Sequence, residues 1–278
     1  YCIDFPSSST GWSCGQNGTI VKTTNGGINW SMQLSGTTGF LYTIFFIDVN
    51  TGWTAGQNGV IRKTTNSGVN WVTQTGSFTG FIYSLFFTDA NTGYFAGSSG
   101  AIYKTTTGGS SWSLQQSNVT NTLSCVYFPP SGASLTGYIS GGTGTAGTIL
   151  KTIDGGNNWS VLGGTGNNWL FGIFFTNSLT GWSGGINGAL MYTTDGGNNW
   201  INQTSGTVNR IVSLSFFDAN TGWAAGYAGT IIRTTNGGTN WTAQVSNSIE
   251  NLWFIDFIDA NSGWAAGWNG TILHTTNG

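Results

Sequence analysis

The chain has 278 residues, of which 6% are charged, and its seven Lys and Arg against nine Asp and Glu give a formal net charge of −2. An average globular protein is about a quarter charged, so solubility here must come from Asn, Gln, Ser, Thr and backbone amides. The cations are scattered singly, which excludes the clustered basic face that nucleic-acid binding requires. Aromatic residues reach 14%, with 46 Gly and three Pro, and this composition favours a compact, turn-rich all-β protein.

Several other classes of function are not expected. The longest apolar runs, such as residues 41–47, are strand-length, whereas a membrane-spanning helix needs about 20 apolar residues, so no membrane insertion is expected. His274 is the single histidine, and Cys2, Cys14 and Cys125 have no CxxC spacing, so neither a zinc set nor a nucleophile–base pair is expected. No catalytic residue, metal or cofactor is therefore predicted.

A unit of about 40 residues recurs along the chain. Its clearest part is a polar turn that ends in Trp, as in TTNSGVNW at residues 64–71. A period of this length with short strands is typical of a β-propeller or a β-solenoid. Successive copies are 41, 41, 47, 41 and 41 residues apart, at Trp30, Trp71, Trp112, Trp159, Trp200 and Trp241, and a seventh copy covers residues 275–278.

Each repeat divides into four predicted strands, A to D. Strand A is apolar, as in LYTIFFID, and strand B begins at an aromatic residue after a Thr-Gly or Ser-Gly turn. A Gly-x-x-Gly turn leads to strand C, and the Asn/Asp-Gly-Gly turn leads to strand D at the Trp. Seven such repeats predict an all-β, seven-bladed β-propeller of four-stranded antiparallel blades. The single domain covers 1–278, with blades at about 1–34, 35–75, 76–116, 117–163, 164–204, 205–245 and 246–278.

Two blades depart from this pattern. The last blade has no sequence for strand D, so we expect its outer strand to be absent from this chain and to lie upstream of Tyr1 or in another segment of a larger chain or assembly. Without it, the strand at 271–275 would be an exposed edge. Blade four is six residues longer than the others, and the additional residues are expected in loops at 129–135 and 141–147.

The turn motif Thr-x-Asp-x-Gly-x-x-Trp has a mechanical explanation. Its Asp or Asn accepts downstream backbone N–H groups, its glycines adopt backbone angles closed to other residues, and its Trp covers the hairpin and can donate its indole N–H. The residues assigned this structural role are Asn25, Trp30, Asn66, Trp71, Trp112, Asp154, Trp159, Asp195, Trp200, Asn236 and Trp241.

The motif resembles the Asp-box, or bacterial neuraminidase, repeat. Asp154 and Asp195 match it strictly, whereas Asn replaces the acid in four copies and Thr107 in one. With its TGWxxG and GxxGxIxKTT segments, the whole chain resembles the seven-bladed photosystem II stability/assembly factor family and related secreted bacterial repeat proteins. The resemblance implies boxes on the outer, lower edge of the propeller and a role in binding assembly intermediates.

The chain lacks features that enzymes with the same repeat require. Sialidase chemistry requires three clustered arginines and a Tyr–Glu pair, and this chain has only Arg62, Arg210 and Arg233. Xyloglucanase-like enzymes place two carboxylates between two propellers, and one propeller is predicted here. The repeat is therefore specific for fold and not for function.

One repeat position carries most of the cations. A ring of them could bind anions, but each long side chain could equally lie across the neighbouring Trp. Because the position is tied to the box, we favour the second interpretation. The residues are Lys22, Lys63, Lys104, Lys151, Arg233 and His274, with Tyr192 in the remaining copy.

Strand A breaks its apolar pattern at Asp4 and Asp256. They replace the aromatic residue found at 45, 86, 127 and 174, and Ser215 does so in blade six. Blades seven and one are neighbours in a closed ring, so we expect the two carboxylates to face each other near the channel. One interpretation is a functional pair, either a cation site or a general acid–base pair in which one pKa is raised. The other is that both residues line a water-filled channel and are hydrated.

The D–A and B–C loops form what we call the upper face of the propeller. In blades six, seven and one, these loops contain several aromatic and polar residues. Aromatic rings beside amides and a few charges suit stacking on sugars or capture of a peptide, and exposed aromatics also suit protein docking. The candidate ligand- or partner-binding residues are Asp4, Gln16, Trp169, Arg210, Tyr227, Glu250, Trp253, Asp256 and Trp268.

Cys2 and Cys14 fall on consecutive strands of one repeat. We expect them to be diagonal and not opposite, which makes a disulfide the less favoured alternative.

The sequence therefore predicts a non-catalytic binding or scaffold propeller, outside the cytoplasm at the cell surface or in the periplasm, with a protein partner. The alternative is a carbohydrate-binding or glycoside-hydrolase-like propeller that takes a surface glycan on its upper aromatic face, beside Asp4 and Asp256.

Overall fold

The computed structural model describes residues 1–130, 135–163, 166 and 168–278. These residues form seven antiparallel sheets. Blade 1 contains β1 (Cys2–Asp4), β2 (Gly11–Cys14), β3 (Ile20–Thr23) and β4 (Ser31–Gln33); blade 2 contains β5 (Leu41–Phe46), β6 (Gly52–Gly56), β7 (Ile61–Thr64) and β8 (Val72–Thr73). Blade 3 contains β9 (Ile82–Phe87), β10 (Gly93–Gly97), β11 (Ile102–Thr105) and β12 (Ser113–Gln115); blade 4 contains β13 (Thr122–Tyr127), β14 (Gly137–Thr143), β15 (Ala146–Thr152) and β16 (Ser160–Leu162).

The remaining blades follow the same plan. Blade 5 contains β17 (Leu170–Phe175), β18 (Gly181–Gly185), β19 (Leu190–Thr193) and β20 (Ile201–Asn202); blade 6 contains β21 (Ile211–Phe216), β22 (Gly222–Gly226), β23 (Ile231–Thr234) and β24 (Thr242–Gln244). Blade 7 contains β25 (Leu252–Phe257), β26 (Gly263–Gly267) and β27 (Ile272–Thr275), so six described sheets have four strands and the seventh has three.

The sheets are arranged as a closed ring. The first strand of each blade lies against the first strand of the next, and β25 of blade 7 lies against β1 of blade 1. These seven innermost strands, A in each repeat, therefore surround a central channel. The prediction of a seven-bladed β-propeller is confirmed.

Short 3-10 turns connect strands B and C on the upper face, at Gln16–Gly18, Gln57–Gly59, Ser98–Gly100, Ile186–Gly188 and Trp268–Gly270. In the Gln-Asn-Gly turns, Asn17 and Asn58 have φ of 54° and 57°, a left-handed conformation that Asn tolerates better than most residues. In the described part of the chain, no helix has the length and apolar character needed to cross a membrane.

An aromatic stack joins each blade to the next. The strand-B ring of one blade lies flat on the strand-A Phe of the following blade, as for Trp53 on Phe87 at 3.6 Å between centroids. Trp264 on Phe5 at 3.6 Å closes the ring in the same way. The other stacks are Trp12–Phe46, Tyr94–Phe128, Tyr138–Phe175, Trp182–Phe216 and Trp223–Phe257.

The same Phe explains the glycine that begins each strand B. A Cβ atom on Gly52 would lie 2.5 Å from the ring of Phe46, which is well inside van der Waals contact. A side chain is therefore excluded where the Phe ring crosses the neighbouring strand.

The Asx turn of the box is present, and the predicted indole donor is confirmed for Trp241, whose Nε1 donates to Gln203 Oε1 at 3.2 Å. Asn66 Oδ1 accepts the backbone N–H of Asn70 at 2.9 Å, as expected. The indole N–H groups of the box residues Trp71, Trp112, Trp159 and Trp200, however, have no partner within the described residues. In six blades the strand-B ring bonds the box turn of the next blade, as Trp53 Nε1 does to Gly108 O at 3.0 Å. The exception is Trp12, whose Nε1 has no partner within the described residues.

A buried threonine organises each box. Thr64, 1% exposed, donates to Asn66 Oδ1 and accepts from the backbone N–H groups of Asn66 and Gly68 at 3.3 and 2.9 Å. We expect Thr64→Val to lower the free energy of unfolding by about 2 kcal/mol, because it keeps the shape and leaves buried N–H groups unpaired. Urea denaturation measures this, with exposed Thr38→Val as the control; equal stability of the two variants would refute the role.

Two local expectations are also corrected. Residues 141–147 do not form a loop, because β14 and β15 extend through them and pair as far as Thr143 with Ala146; the other predicted insertion, 129–135, lies partly outside the described residues. Cys2 and Cys14 are directly opposite and not diagonal, in a register that continues unbroken to Asp4 and Trp12. Both thiols are free.

Candidate functional site

A cavity of about 460 Å³ lies in the central channel and is lined by strand A of all seven blades. Strand A runs from the upper face into the channel, so equivalent positions in successive blades form tiers of the wall. Two tiers concern the predicted site: a rim tier at the position of Trp253 and an inner tier at the position of Asp256.

The rim tier is mostly aromatic. Centroid distances are 5.9 Å between Tyr1 and Trp253, 5.6 Å between Tyr1 and Tyr42, and 5.5 Å between Tyr42 and Tyr83. Of this tier, only Trp253 is among the residues predicted from the sequence. The other rim residues share its strand-A position in their own repeats, and this shared position is the signal that identifies them. The full tier is Tyr1, Tyr42, Tyr83, Ser124, Phe171, Val212 and Trp253.

Trp253 connects this tier to two predicted residues on the B–C turns. Tyr227 contacts it edge-on at 5.4 Å, and Trp268, which is 41% exposed, lies 6.3 Å away. The indole Nε1 of Trp253 is buried and has no hydrogen-bond partner within the described residues. A buried donor without a partner costs free energy, so this indole is held by its ring contacts and not by a hydrogen bond.

Arg210 is held at the rim between two rings. Its guanidinium lies 4.6 Å from the ring of Phe171 and 4.5 Å from that of Tyr227, and its Nη1 donates to Tyr227 Oη at 2.9 Å. These cation–π contacts fix the side chain in place. The cation is therefore presented to the cavity in one orientation.

The other three predicted upper-face residues differ in position. Trp169 lines the cavity, and its Nε1 donates to Ser124 Oγ of the preceding blade at 3.4 Å. Gln16 Nε2 donates to Tyr1 Oη at 3.2 Å and so supports the rim tier from outside. Glu250 lies in the loop before β25, where its backbone N–H binds Ser248 Oγ, and it does not line the described cavity.

A groove of about 490 Å³ continues outward from the cavity between blades 5 and 6. It shares Trp169 and Arg210 with the cavity, and its outer walls include Ile186 and Val208. Val208 is 83% exposed. The two spaces together form a path from the mainly apolar channel to a more polar groove at the edge of the upper face.

Asp4 and Asp256 lie in the inner tier and line the cavity together. Each also has a contact that neither predicted interpretation included. Asp256 Oδ2 accepts the backbone N–H of Phe5, and Asp4 Oδ2 accepts that of Phe46, at 3.2 and 2.6 Å. Ser215 Oγ accepts the N–H of Phe257 in the same way at 3.0 Å, so this position links each of these blades to the next.

The two carboxyl groups have perturbed acidities. Burial and then the charge of Asp256 hold the pKa of Asp4 well above its ordinary value. Burial raises the pKa of Asp256 to about 6, although the hydrogen bond from Phe5 acts in the opposite direction. Desolvation and a like charge both disfavour ionisation. No cationic group appears among the causes of either pKa shift.

The ring of cations is placed as the favoured interpretation predicted. Lys22 and Lys63 lie 5.0 Å over the rings of Trp12 and Trp53, and His274 is parallel to Trp264 at 4.7 Å. The register explains this, because Trp53 pairs directly with Lys63 across β6 and β7. The remaining contacts are Lys104–Tyr94, Lys151–Tyr138, Arg233–Trp223 and Tyr192–Trp182.

Acidic and sulfur-bearing side chains elsewhere are dispersed. In the described ranges, no three or more His, Cys, Asp or Glu residues group closely enough to hold a metal ion.

Several solved propeller structures have a similar fold. YCF48 bound to D1 peptide is 20% identical over 99% of this chain and 91% of that chain, with a TM-score of 0.82. YCF48 from Cyanidioschyzon merolae is 21% identical over 99% of this chain and 94% of that chain, with a TM-score of 0.81. The GH74 xyloglucanase from Xanthomonas campestris is 10% identical, with a TM-score of 0.81, over 99% of this chain and 51% of that chain.

These structural similarities establish the fold, and the family follows from the sequence. No curated protein matches the chain. The sequence model described as photosynthesis system II assembly factor YCF48 matches residues 1–127 and 165–248. Because this match covers well over half of the chain, the protein belongs to the photosystem II assembly factor YCF48 family.

Proposed function

We propose that this propeller is a non-catalytic binding module that captures an extended segment of a partner protein at the mouth of its channel. The observation that carries the proposal is the aromatic rim, which encloses a cavity and continues into an open groove. A structurally similar YCF48 is bound to a D1 peptide, which supports a protein partner. An extended chain fits a site that is deep at one end and open at the other.

The residue types at the rim favour this assignment. Tyr, Trp and Arg dominate the binding energy of protein interfaces, and Tyr1, Tyr42, Trp253 and Arg210 are all present around one cavity. The Trp253 ring lies between Tyr1 and Tyr227, so it is a central aromatic of the rim. A propeller of the same fold that is bound to a peptide favours the protein partner over the glycan.

The proposal is tested by selecting 12-residue peptides from a random display library on the purified propeller, beside a glycan array. Trp253→Ala is expected to weaken the selected peptides by about 2 kcal/mol, or about 30-fold in Kd, since a central aromatic anchor is lost. Ile28→Ala, at a site on a box turn that is 78% exposed, is the control and should bind as the wild type does. Binding of glycans without peptides would contradict the proposal and support the carbohydrate alternative.

We further propose that the protein functions outside the cytoplasm, at the cell surface or in the periplasm. Its charged-residue content of only 6% and its Asn-, Thr- and Ser-rich composition support this. Fractionation of the source cells with an antibody to the propeller tests it, and recovery in the cytoplasm alone would contradict it.

A further inference from the structure

The inner tier divides the channel wall into two different halves. Blades 2 to 5 contribute a continuous aromatic arc, with centroid distances of 5.1 Å from Phe45 to Phe86, 5.4 Å from Phe86 to Tyr127, and 4.8 Å from Tyr127 to Phe174. Blades 6, 7 and 1 contribute a polar arc of Ser215, Asp256 and Asp4. Rings and carboxylates therefore face the same cavity from opposite sides.

The carboxylates retain capacity for a ligand. Each uses Oδ2 for the backbone N–H of the next blade, and no hydrogen bond to either Oδ1 is found within the described residues. No cation in the described part of the chain forms a salt bridge with either acid. Burial, then Cys125 and Asp256, raise the pKa of Tyr127 in the aromatic arc.

We propose that this inner tier binds an alkylammonium group, the side chain of a lysine in the partner segment, between the two carboxylates and the facing aromatic arc. The inference rests on the proposed function, because it names the anchor residue of the segment that the rim captures. Ring faces and carboxylates both attract a cation, and their partial burial in one cavity strengthens both attractions.

Other ligand chemistries fit this tier less well. An anion would meet two like charges, and a neutral apolar group would leave the two carboxylates without a counter-charge. Arg210 is the only cationic side chain among the described lining residues, and it is held in the rim tier by Phe171 and Tyr227. The cation and the two acids are thus separated in depth, which leaves the inner tier negative.

The repeat supplies a substitution that separates charge from structure. Ser215 makes the same link between blades as the two acids do, and its Oγ binds the N–H of Phe257 at 3.0 Å. D4S/D256S should therefore keep an acceptor for Phe46 and Phe5 and remove both charges. D4N/D256N is a second, near-isosteric variant, and Ser215→Ala tests the loss of one such link without a change of charge.

The experiment is calorimetric titration of the folded protein with Nα-acetyl-lysine methylamide and, as the neutral match, Nα-acetyl-norleucine methylamide. The wild type should bind the lysine derivative at least about tenfold more tightly than the norleucine derivative. D4S/D256S and D4N/D256N should remove this preference, whereas Ser215→Ala should keep it. Equal binding of the two probes by the wild type, or an unchanged preference in both double variants, would overturn the inference.

The library-selected peptides separate this inference from the proposed function. Selected peptides that lose binding when their lysine is changed to norleucine, and that bind D4S/D256S weakly, support both. Peptides that bind through the rim but tolerate both changes leave the proposed function intact and refute the lysine anchor. Tight binding of the lysine derivative with no selected peptide would support the inner tier as a cation site and refute peptide capture.

Discussion

Replacing Trp53 by Ala is expected to lower the free energy of unfolding by about 3–5 kcal/mol, the range for deleting a large buried aromatic side chain. Trp53 is 0% exposed and lies flat on Phe87 of the next blade at 3.6 Å between centroids. Its Nε1 also donates to Gly108 O in the box turn of that blade. Alanine would open a cavity between two blades and leave the carbonyl without its donor. Urea denaturation followed by far-UV circular dichroism measures the change.

The hydrogen bond can be separated from the stack by using another blade as the control. Trp12 stacks on Phe46 at 3.7 Å, but its Nε1 has no partner within the described residues. The carbonyl of Ser67, in the neighbouring box turn, accepts Lys22 Nζ at 3.1 Å. Trp53→Phe should therefore cost about 1 kcal/mol more than Trp12→Phe. Equal losses would show that the indole bond contributes nothing to the joint between blades.

The fold could be predicted from the sequence because a ring gives every repeat nearly the same surroundings. Trp53, Trp182 and Trp264 all stack on a Phe of the following blade, so the same residue types recur at the same intervals. The partners across blades could not be read in this way. The bond from Trp53 to Gly108 joins residues 55 positions apart, and it depends on the angle between neighbouring sheets, which no local pattern specifies.

The candidate site was predicted only in part, for a related reason. Asp4 and Asp256 can be predicted because they interrupt an apolar pattern. Tyr42 and Tyr83 agree with the pattern of an apolar strand, so that pattern gives no sign of their role. The aromatic position becomes a binding feature only when seven strands converge on one channel. The bonds from the acids to Phe46 and Phe5 likewise arise from ring closure, which sets neighbouring A strands side by side.

The repeat therefore separates stability from recognition. The outer parts of the strands and the box turns are nearly uniform, and they contain the stacks and bonds that join the blades. The channel-facing positions vary from blade to blade, with Phe45 in one and Asp256 in another. Because strand A is anchored by the stack on one side, its channel side is free to differ without loss of the fold.

The propeller is expected to lose stability as pH rises from about 4.5 to about 7.5, because Asp4 and Asp256 are more easily ionised in the unfolded chain than in the fold. Burial raises the pKa of Asp256 from 3.8 to about 6, and that of Asp4 is also raised. The folded state thus binds more protons in this range, so the stabilisation is fully present below pH 3.8 and is lost as pH rises through the folded pKa. For Asp256 alone the full effect is on the order of 3 kcal/mol, of which about 2 kcal/mol falls between these two pH values.

The measurement compares wild type with D4S/D256S at both pH values by urea denaturation, since the variant retains acceptors for the neighbouring blades but cannot titrate there. The pKa of His274 is lowered by burial and acts in the opposite direction, but it is present in both proteins and cancels in the difference. The carboxyl groups of Asp89, Asp154, Asp195 and Asp259, whose pKa is lowered by hydrogen bonds, act below this range.

The wild type should lose about 2 kcal/mol or more relative to the variant between the two conditions. Parallel pH profiles would mean that the two acids are ionised in the fold without cost, and that the inner tier is more hydrated than its hydrogen bonds and burial imply.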